Sequence, residues 1–460
     1  MGWLGVGALL LAAAGLGLWA QRRRKPGLAD YVLAGRALTL PSFVATLVPT
    51  FYGGVLGVGE FTWRSGLSNW TTQALPYYAF AGVYALWLSG RVRLEPGLTI
   101  PDHLENAYGR PLALVGALLV AVLAAPADEL LMAGALLSHL GGLGEGTAMG
   151  LCAAAAAAVL WRGGLRSDVW ANRLQIALMY GGFALILPAA LRALPPAGLA
   201  AALPRGHLSW TGNLPTLRLL AWWLIAVWTL VDPSFHQRCA AARSPEVARW
   251  GILLSIACWA VFDLMTTAAG LYARALLPRL SDPVLAFPIL ADRLLGPAAR
   301  ALFYAGLAAT ITASLQGRAL QACVSLGKDA AGRWKAAGEA RQEALSRLAL
   351  PVVLAGCWLL ARLLPSVVEL WYDIGSAVIP GLLLPLLGVY FPRWRARPRW
   401  ALAASLGGWS CATCWLLAAG RLGHAPWGLE PLFPGLAVSA GLWAAGLLSP
   451  GAPQNTSIPS

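Results

Sequence analysis

Thirteen apolar stretches follow one another along this 460-residue chain, and they constrain its fold more than any motif does. They lie near 2–20, 42–64, 70–90, 111–140, 146–163, 168–191, 217–234, 250–273, 297–320, 347–363, 366–391, 400–420 and 431–448. A helix rising 1.5 Å per residue needs about 20 such residues to cross about 30 Å of hydrocarbon. With 58% hydrophobic and 12% charged residues, a water-soluble core could not hide this much apolar surface. The expected fold class is an all-α membrane protein of about 13 transmembrane helices.

The formal net charge of +14 could suggest a nucleic-acid partner, but the basic residues fall in short runs between apolar stretches. With the N-terminus outside, the inside loops are 21–41, 91–110, 162–173, 235–249, 318–347 and 392–399. These hold 24 of the 34 Lys and Arg residues, which predicts an N-out, C-in orientation in a bacterial inner membrane. Residues 2–20 are followed by Gln21-Arg22-Arg23-Arg24-Lys25, whereas a signal peptide carries its charges first, so a retained helix is expected. The seven cysteines sit mostly within apolar stretches and read as small hydrophobes, the Cys411/Cys414 pair included.

A spanning helix must satisfy its own backbone, so Gly and Pro clusters at membrane depth mark places where exposed groups line a cavity. The second span has Pro49, Gly53, Gly54, Gly57 and Gly59, ending in Glu60; the seventh ends in Trp228-Thr229-Leu230-Val231-Asp232-Pro233. Two five-helix units in series have opposite topology because five is odd. Breaks in spans two and seven therefore predict inverted repeats framing a midplane site. Close helix packing through small residues is the competing account of the glycines. The expected units are an extra N-terminal helix and loop (1–41), a first repeat (42–191), a second repeat (217–391), two C-terminal helices (400–448) and a tail (449–460).

The residues resemble the sodium:solute symporter family over nearly the whole chain. The resemblance rests on Asp30-Tyr31-Val32-Leu33-Ala34-Gly35-Arg36, on Gly97-Leu98-Thr99-Ile100-Pro101-Asp102-His103-Leu104 with Tyr108-Gly109, and on Gly163-Gly164-Leu165-Arg166 leading to Gln175. It continues through Asp232-Pro233 with Gln237-Arg238-Cys239 to Gly306-Leu307-Ala308-Ala309-Thr310-Ile311-Thr312-Ala313-Ser314 and Lys328-Asp329. It implies a leucine-transporter-type core from the second to the eleventh span that rocks to give alternating access. Sodium ligands would be backbone carbonyls near Leu47 and Thr50, with Thr310, Ala313 and Ser314. Gly53, Gly54, Trp228 and Thr229 would border the substrate. Two positions depart from the family pattern: Ala313 stands where a second hydroxyl is usual, and Asn172 where an acid often is. Thr310, one helical turn before Ala313 and Ser314, is placed to supply the missing oxygen.

An ionisable group at the bilayer centre is expensive and calls for a partner or a task. Asp128 and Glu129 are adjacent and point about 100° apart on a helix, so one of them, Glu129, is expected to face substrate. Glu60 could be held by N–H groups freed at the Gly-rich break, and Asp263 by a local bond to Thr266 or Thr267. Glu60, Asp128, Asp232 and Asp263 are the candidate proton or charge relay.

These features predict a monomeric secondary transporter coupling sodium to uptake of a small polar organic solute, with the lipid bilayer as solvent and no cofactor besides the coupling ion. The alternative on the same scaffold is proton coupling through Glu129, Glu60 or Asp128. A membrane-embedded enzyme or a sensor is a different class; the histidines do not cluster as a metal site, and no nucleophile stands beside a base.

Overall fold

The computed structural model describes residues 27–449 except Asn213, together with Gly15; the side chains at 162–164, 166–171 and 173 are not described. The expected first span at 2–20 and most of the tail lie outside this set. The described residues are helical, with one parallel bridge, Leu38 to Ala242, and no strand. Nine helices among them are long and apolar enough to cross a membrane, and Glu145–Trp161 and Leu432–Leu448 are shorter apolar helices.

The first broken span is α1 (Leu40–Phe51), a tight turn at Tyr52–Gly54, and α2 (Val55–Ser65). Pro49 removes one backbone donor just before the turn. Gly53 and Gly54 are required by close approach: a Cβ would lie 1.9 Å from Ser314 Cβ at the first and 2.2 Å from Trp371 Cζ2 at the second. α3 (Leu75–Val83) is the centre of a helical run from Trp70 to Leu94. α4 (Ile100–Tyr108) precedes α5 (Arg110–Leu123) and α6 (Ala127–Gly141). The span expected at 111–140 is found at Arg110–Gly141, but it is interrupted: Pro126 has no N–H for the hydrogen-bond ladder, and the helix breaks at Ala124–Pro126.

α7 carries helical backbone over Glu145–Ala193, including 162–173, where an inside loop was expected. A straight helix of that length would be about 73 Å long, more than twice the hydrocarbon thickness. Its two apolar arms pack on different helices. Trp358 donates to the Gly146 carbonyl at 2.9 Å, and Ala157 shares a groove with Pro351, so the first arm is antiparallel to α13 (Glu339–Leu363, introduced below). In the second arm Leu178 packs on Gly306 and Gly182 on Phe303, antiparallel to the helix that precedes α13.

The second broken span is α8 (Thr216–Ile225), α9 (Trp228–Val231) and α10 (Pro233–Ala241). Asp232 is extended, with φ −67° and ψ 119°, and its Oδ1 accepts the N–H groups of Ser234 at 2.6 Å and Phe235 at 3.3 Å. An acid that caps the helix begun by Pro233 explains why the chain stops and restarts there. α11 (Pro245–Leu276), α12 (Pro297–Val324), α13 (Glu339–Leu363), α14 (Val367–Tyr390), α15 (Pro398–Leu422) and α16 (Leu432–Leu448) complete the bundle.

The two broken spans meet. The Phe51 and Phe235 rings pack edge-on with centroids 5.7 Å apart, and Arg238 Nη2 donates to Thr50 Oγ1 at 2.8 Å. The segment entering α1 pairs with the segment leaving α10, through Leu38 N–H to the Ala241 carbonyl at 3.0 Å and Arg243 N–H to the Leu38 carbonyl at 2.9 Å. One span begins where the other ends, so the two run antiparallel, as an inverted arrangement requires.

Candidate functional site: a cavity between the broken helices

A cavity of about 120 Å³ opens where both breaks converge. The first span contributes Thr50, Phe51, Tyr52 and Gly54, and the second contributes Trp228, Asp232 and Ser234. α3 and its approach add Gln73, Tyr77 and Tyr78, α6 adds Asp128 and Glu129, α11 adds Asp263, α12 adds Ser314 and Arg318, and α14 adds Trp371.

Arg318 organises one wall. Its Nη1 lies 2.9 Å from each Asp128 oxygen and 2.7 Å from Glu129 Oε1, while Nη2 donates to the Leu123 and Ala125 carbonyls at 3.2 Å each. Those carbonyls are freed by the break before α6, so one guanidinium satisfies both the acids and the interrupted backbone. Trp371 Nε1 adds a 2.6 Å bond to Asp128 Oδ2, and Ser314 Oγ a 2.6 Å bond to Glu129 Oε1. Glu129 Oε2 is buried without a partner.

Asp263 on α11 also lines the cavity. It accepts from Tyr52 at 2.5 Å and from Tyr78, and Tyr52 also meets the Thr266 hydroxyl at 2.7 Å. Trp228 Nε1 donates to Asp232 Oδ2 at 3.1 Å, which ties the indole to the second break.

The sequence reading differs from this geometry at four places. Asp128 and Glu129 both line the cavity: they open a new helix after the break, and Arg318 draws the two carboxylates together. Asp263 is held by phenols from the first broken span and α3 rather than by its own helix, where Thr266 bonds the Phe262 and Asp263 carbonyls. Glu60 stands away from the cavity, taking the Ser366 hydroxyl at 2.8 Å, the Val367 N–H at 3.2 Å and Arg64 at 3.1 Å. It caps α14 and is not held by its own glycine break. Arg318, like Arg238, was counted with the inside loops, yet both lie within helices, Arg238 buried and Arg318 facing the cavity.

Of the other expected residues, Gly53 packs on Ser314, and Leu47, Thr229, Thr310 and Ala313 are buried behind the cavity surface. Thr310 Oγ1 donates to the Gly306 carbonyl at 2.8 Å. Asn172 is buried with both side-chain polar atoms unpartnered. The sequence reading missed Arg318, Trp371, Tyr52, Tyr77 and Tyr78. Arg318 had one readable signal, its position one turn after Ser314 on the same helix face.

A second polar cluster closes the far end of the bundle, beneath α10. Lys328 Nζ lies 2.6 Å from both Asp102 and Asp329, and Arg333 lies 2.6 Å from both Asp102 and Glu105. Burial would raise the Asp102 carboxyl, but Lys328, the Leu98 N–H and Arg333 outweigh it and hold it at about 2. Beside it, burial pushes His103 down to about 4; Asp102 opposes that shift, and Lys328 and Arg36 add to it. His103 Nδ1 meets the Tyr390 hydroxyl at 2.7 Å.

Antiparallel broken helices around a shared cavity define a class, the leucine-transporter-type membrane transporters with an inverted-repeat core. Solved structures agree on the fold. A substrate-bound, outward-open Na+-coupled sialic acid symporter is 15% identical with a TM-score of 0.78, covering 97% of each chain. Mhp1, a nucleobase-cation-symport-1 family transporter, is 12% identical with a TM-score of 0.61, covering 92% of this chain and 95% of its own. MhsT in complex with L-phenylalanine is 14% identical with a TM-score of 0.53, covering 88% of this chain and 98% of its own. No curated protein matches the chain. The family model of the sodium:solute symporters matches residues 31–408, and the chain belongs to that family.

Proposed function

We propose that this protein carries a small polar organic solute inward, driven by sodium, through alternating access about the cavity between its broken helices. The observation that carries the reading is the convergence of both breaks on one cavity, with Ser314 pressed against Gly53. The cation ligands are the carbonyls near Leu47 and Thr50 with the Ser314 hydroxyl. Glu129, 2.6 Å from Ser314, supports the reading by offering an oxygen beside Ala313, which has none. Substrate meets Gly54, Trp228 and Glu129. The moving units are the repeats 42–191 and 217–391, in a bacterial inner membrane with the N-terminus outside and the C-terminus inside.

Coupling arises if sodium and solute together stabilise one access state more than either does alone. The test is uptake into proteoliposomes with sodium replaced by potassium at fixed pH. Loss of uptake supports sodium coupling. Uptake that persists and follows an imposed pH gradient overturns it in favour of proton coupling, a second reading favoured by the unpartnered, buried Glu129 Oε2.

A further inference from the structure

We propose that the transported solute is a protonated amine whose N–H groups are held between Asp263 and Glu129. This rests on the transport reading above and names the substrate class of the same cavity.

Charge comes first. The cavity is lined by the carboxylates of Asp128, Glu129, Asp232 and Asp263 and by one guanidinium, that of Arg318. Even if Arg238 behind Thr50 is counted, the acids outnumber the bases two to one. Arg318 cannot serve an anionic solute, because both of its terminal nitrogens are occupied by Asp128, Glu129 and two backbone carbonyls. A carboxylate-bearing solute would therefore meet uncompensated like charge, which specificity by repulsion turns away.

Two acids remain open to a cation. Asp263 has two phenols as partners and pairs with no basic side chain among the described residues. Glu129 is 1% exposed, lines the cavity, and keeps Oε2 without a donor. A buried carboxylate oxygen with no donor calls for one, and an ammonium N–H supplies both the hydrogen bond and the charge. The rings of Phe51, Tyr77, Trp228 and Trp371 complete the wall, and their negative faces attract a cation. A quaternary ammonium could stack on these rings but has no N–H for Glu129, so the geometry points to a primary or secondary amine.

The experiment is thermal unfolding of the full chain in detergent with four probes: 2-phenylethylamine, 2-phenylethanol, phenylacetate and choline, each in sodium and in potassium. The amine is expected to bind at least tenfold tighter than any of the others, about 1.4 kcal/mol. Asp263→Asn and Glu129→Gln should each lower the ratio of amine to alcohol affinity, measured within the same variant, at least tenfold. Equal or stronger stabilisation by the alcohol, phenylacetate or choline, or none by the amine, overturns the proposal. Amine stabilisation that ignores sodium would end the sodium reading and leave the charge preference standing. Sodium-dependent stabilisation by the alcohol alone would do the reverse.

Discussion

Arg318 Nη1 lies 2.9 Å from both carboxylate oxygens of Asp128, a contact between residues 190 positions apart that closes the break between α5 and α6. Removing one partner of a buried ion pair leaves the other charge uncompensated and costs about 3–5 kcal/mol. Arg318→Met should therefore lower the unfolding midpoint of the detergent-solubilised protein well below wild type. The double variant with Asp128→Asn should recover part of the loss. A single variant within about 2 °C of wild type would contradict this account.

At the first break the prediction concerns shape. Gly53→Ala places a methyl 1.9 Å from Ser314 Cβ, and overpacking of this kind costs about 1–3 kcal/mol. Uptake in proteoliposomes should fall sharply. Ser314→Gly in the same chain removes the clashing carbon and should restore folding, read as the unfolding midpoint, without restoring sodium dependence. If Gly53→Ala transports normally, the close approach of α12 to the break has no functional weight.

The closed end of the bundle is held by Lys328, Asp102, Asp329 and Arg333. Cys239 and Cys323 lie at that end with no exposed surface. In wild type neither thiol should react with a maleimide, as followed site by site with mass spectrometry. Lys328→Met leaves Asp102 and Asp329 short of a cation and should make both cysteines at least tenfold more reactive, about 1.4 kcal/mol of opening. Unchanged labelling would show that the ion cluster does not hold this end shut.

His103 gives that closure a pH dependence. Its pKa of about 4 when buried lies below the value near 6.5 of a hydrated ring. The open state binds a proton first as pH falls. The closed state is therefore fully favoured above about pH 6.5 and loses about 1.4 kcal/mol by pH 5.5. Divided by the rate of a free thiol at the same pH, which falls with the thiolate fraction, Cys239 and Cys323 labelling should rise over that interval, and His103→Gln should flatten the profile. A profile equally steep in the variant would assign the effect to another group.

The breaks and the membrane class were readable because they depend on local chemistry. Pro49, Gly53, Gly54 and the Asp232-Pro233 pair disturb the backbone wherever they fall in a helix, so their positions could be read from composition alone. Glu60 and Asp263 show the limit of that reading. Each has plausible neighbours in sequence, a glycine break for one and two threonines for the other. Each is instead satisfied by a distant element, Glu60 by Ser366 and Val367 and Asp263 by Tyr52 and Tyr78. Arg318 misled for a related reason: a basic residue near the end of an apolar stretch looks like a loop charge until its acids are found on another helix.

The amino-acid sequence by itself determined that the chain lives in a bilayer, which stretches are apolar enough to cross it and where two of them break, because transfer into hydrocarbon and loss of a backbone hydrogen bond are properties of short segments. Only the tertiary structure decided which buried charges neutralise one another and which face the cavity. Pairing energy depends on the distance between side chains from helices far apart in sequence, and only packing brings them within 3 Å.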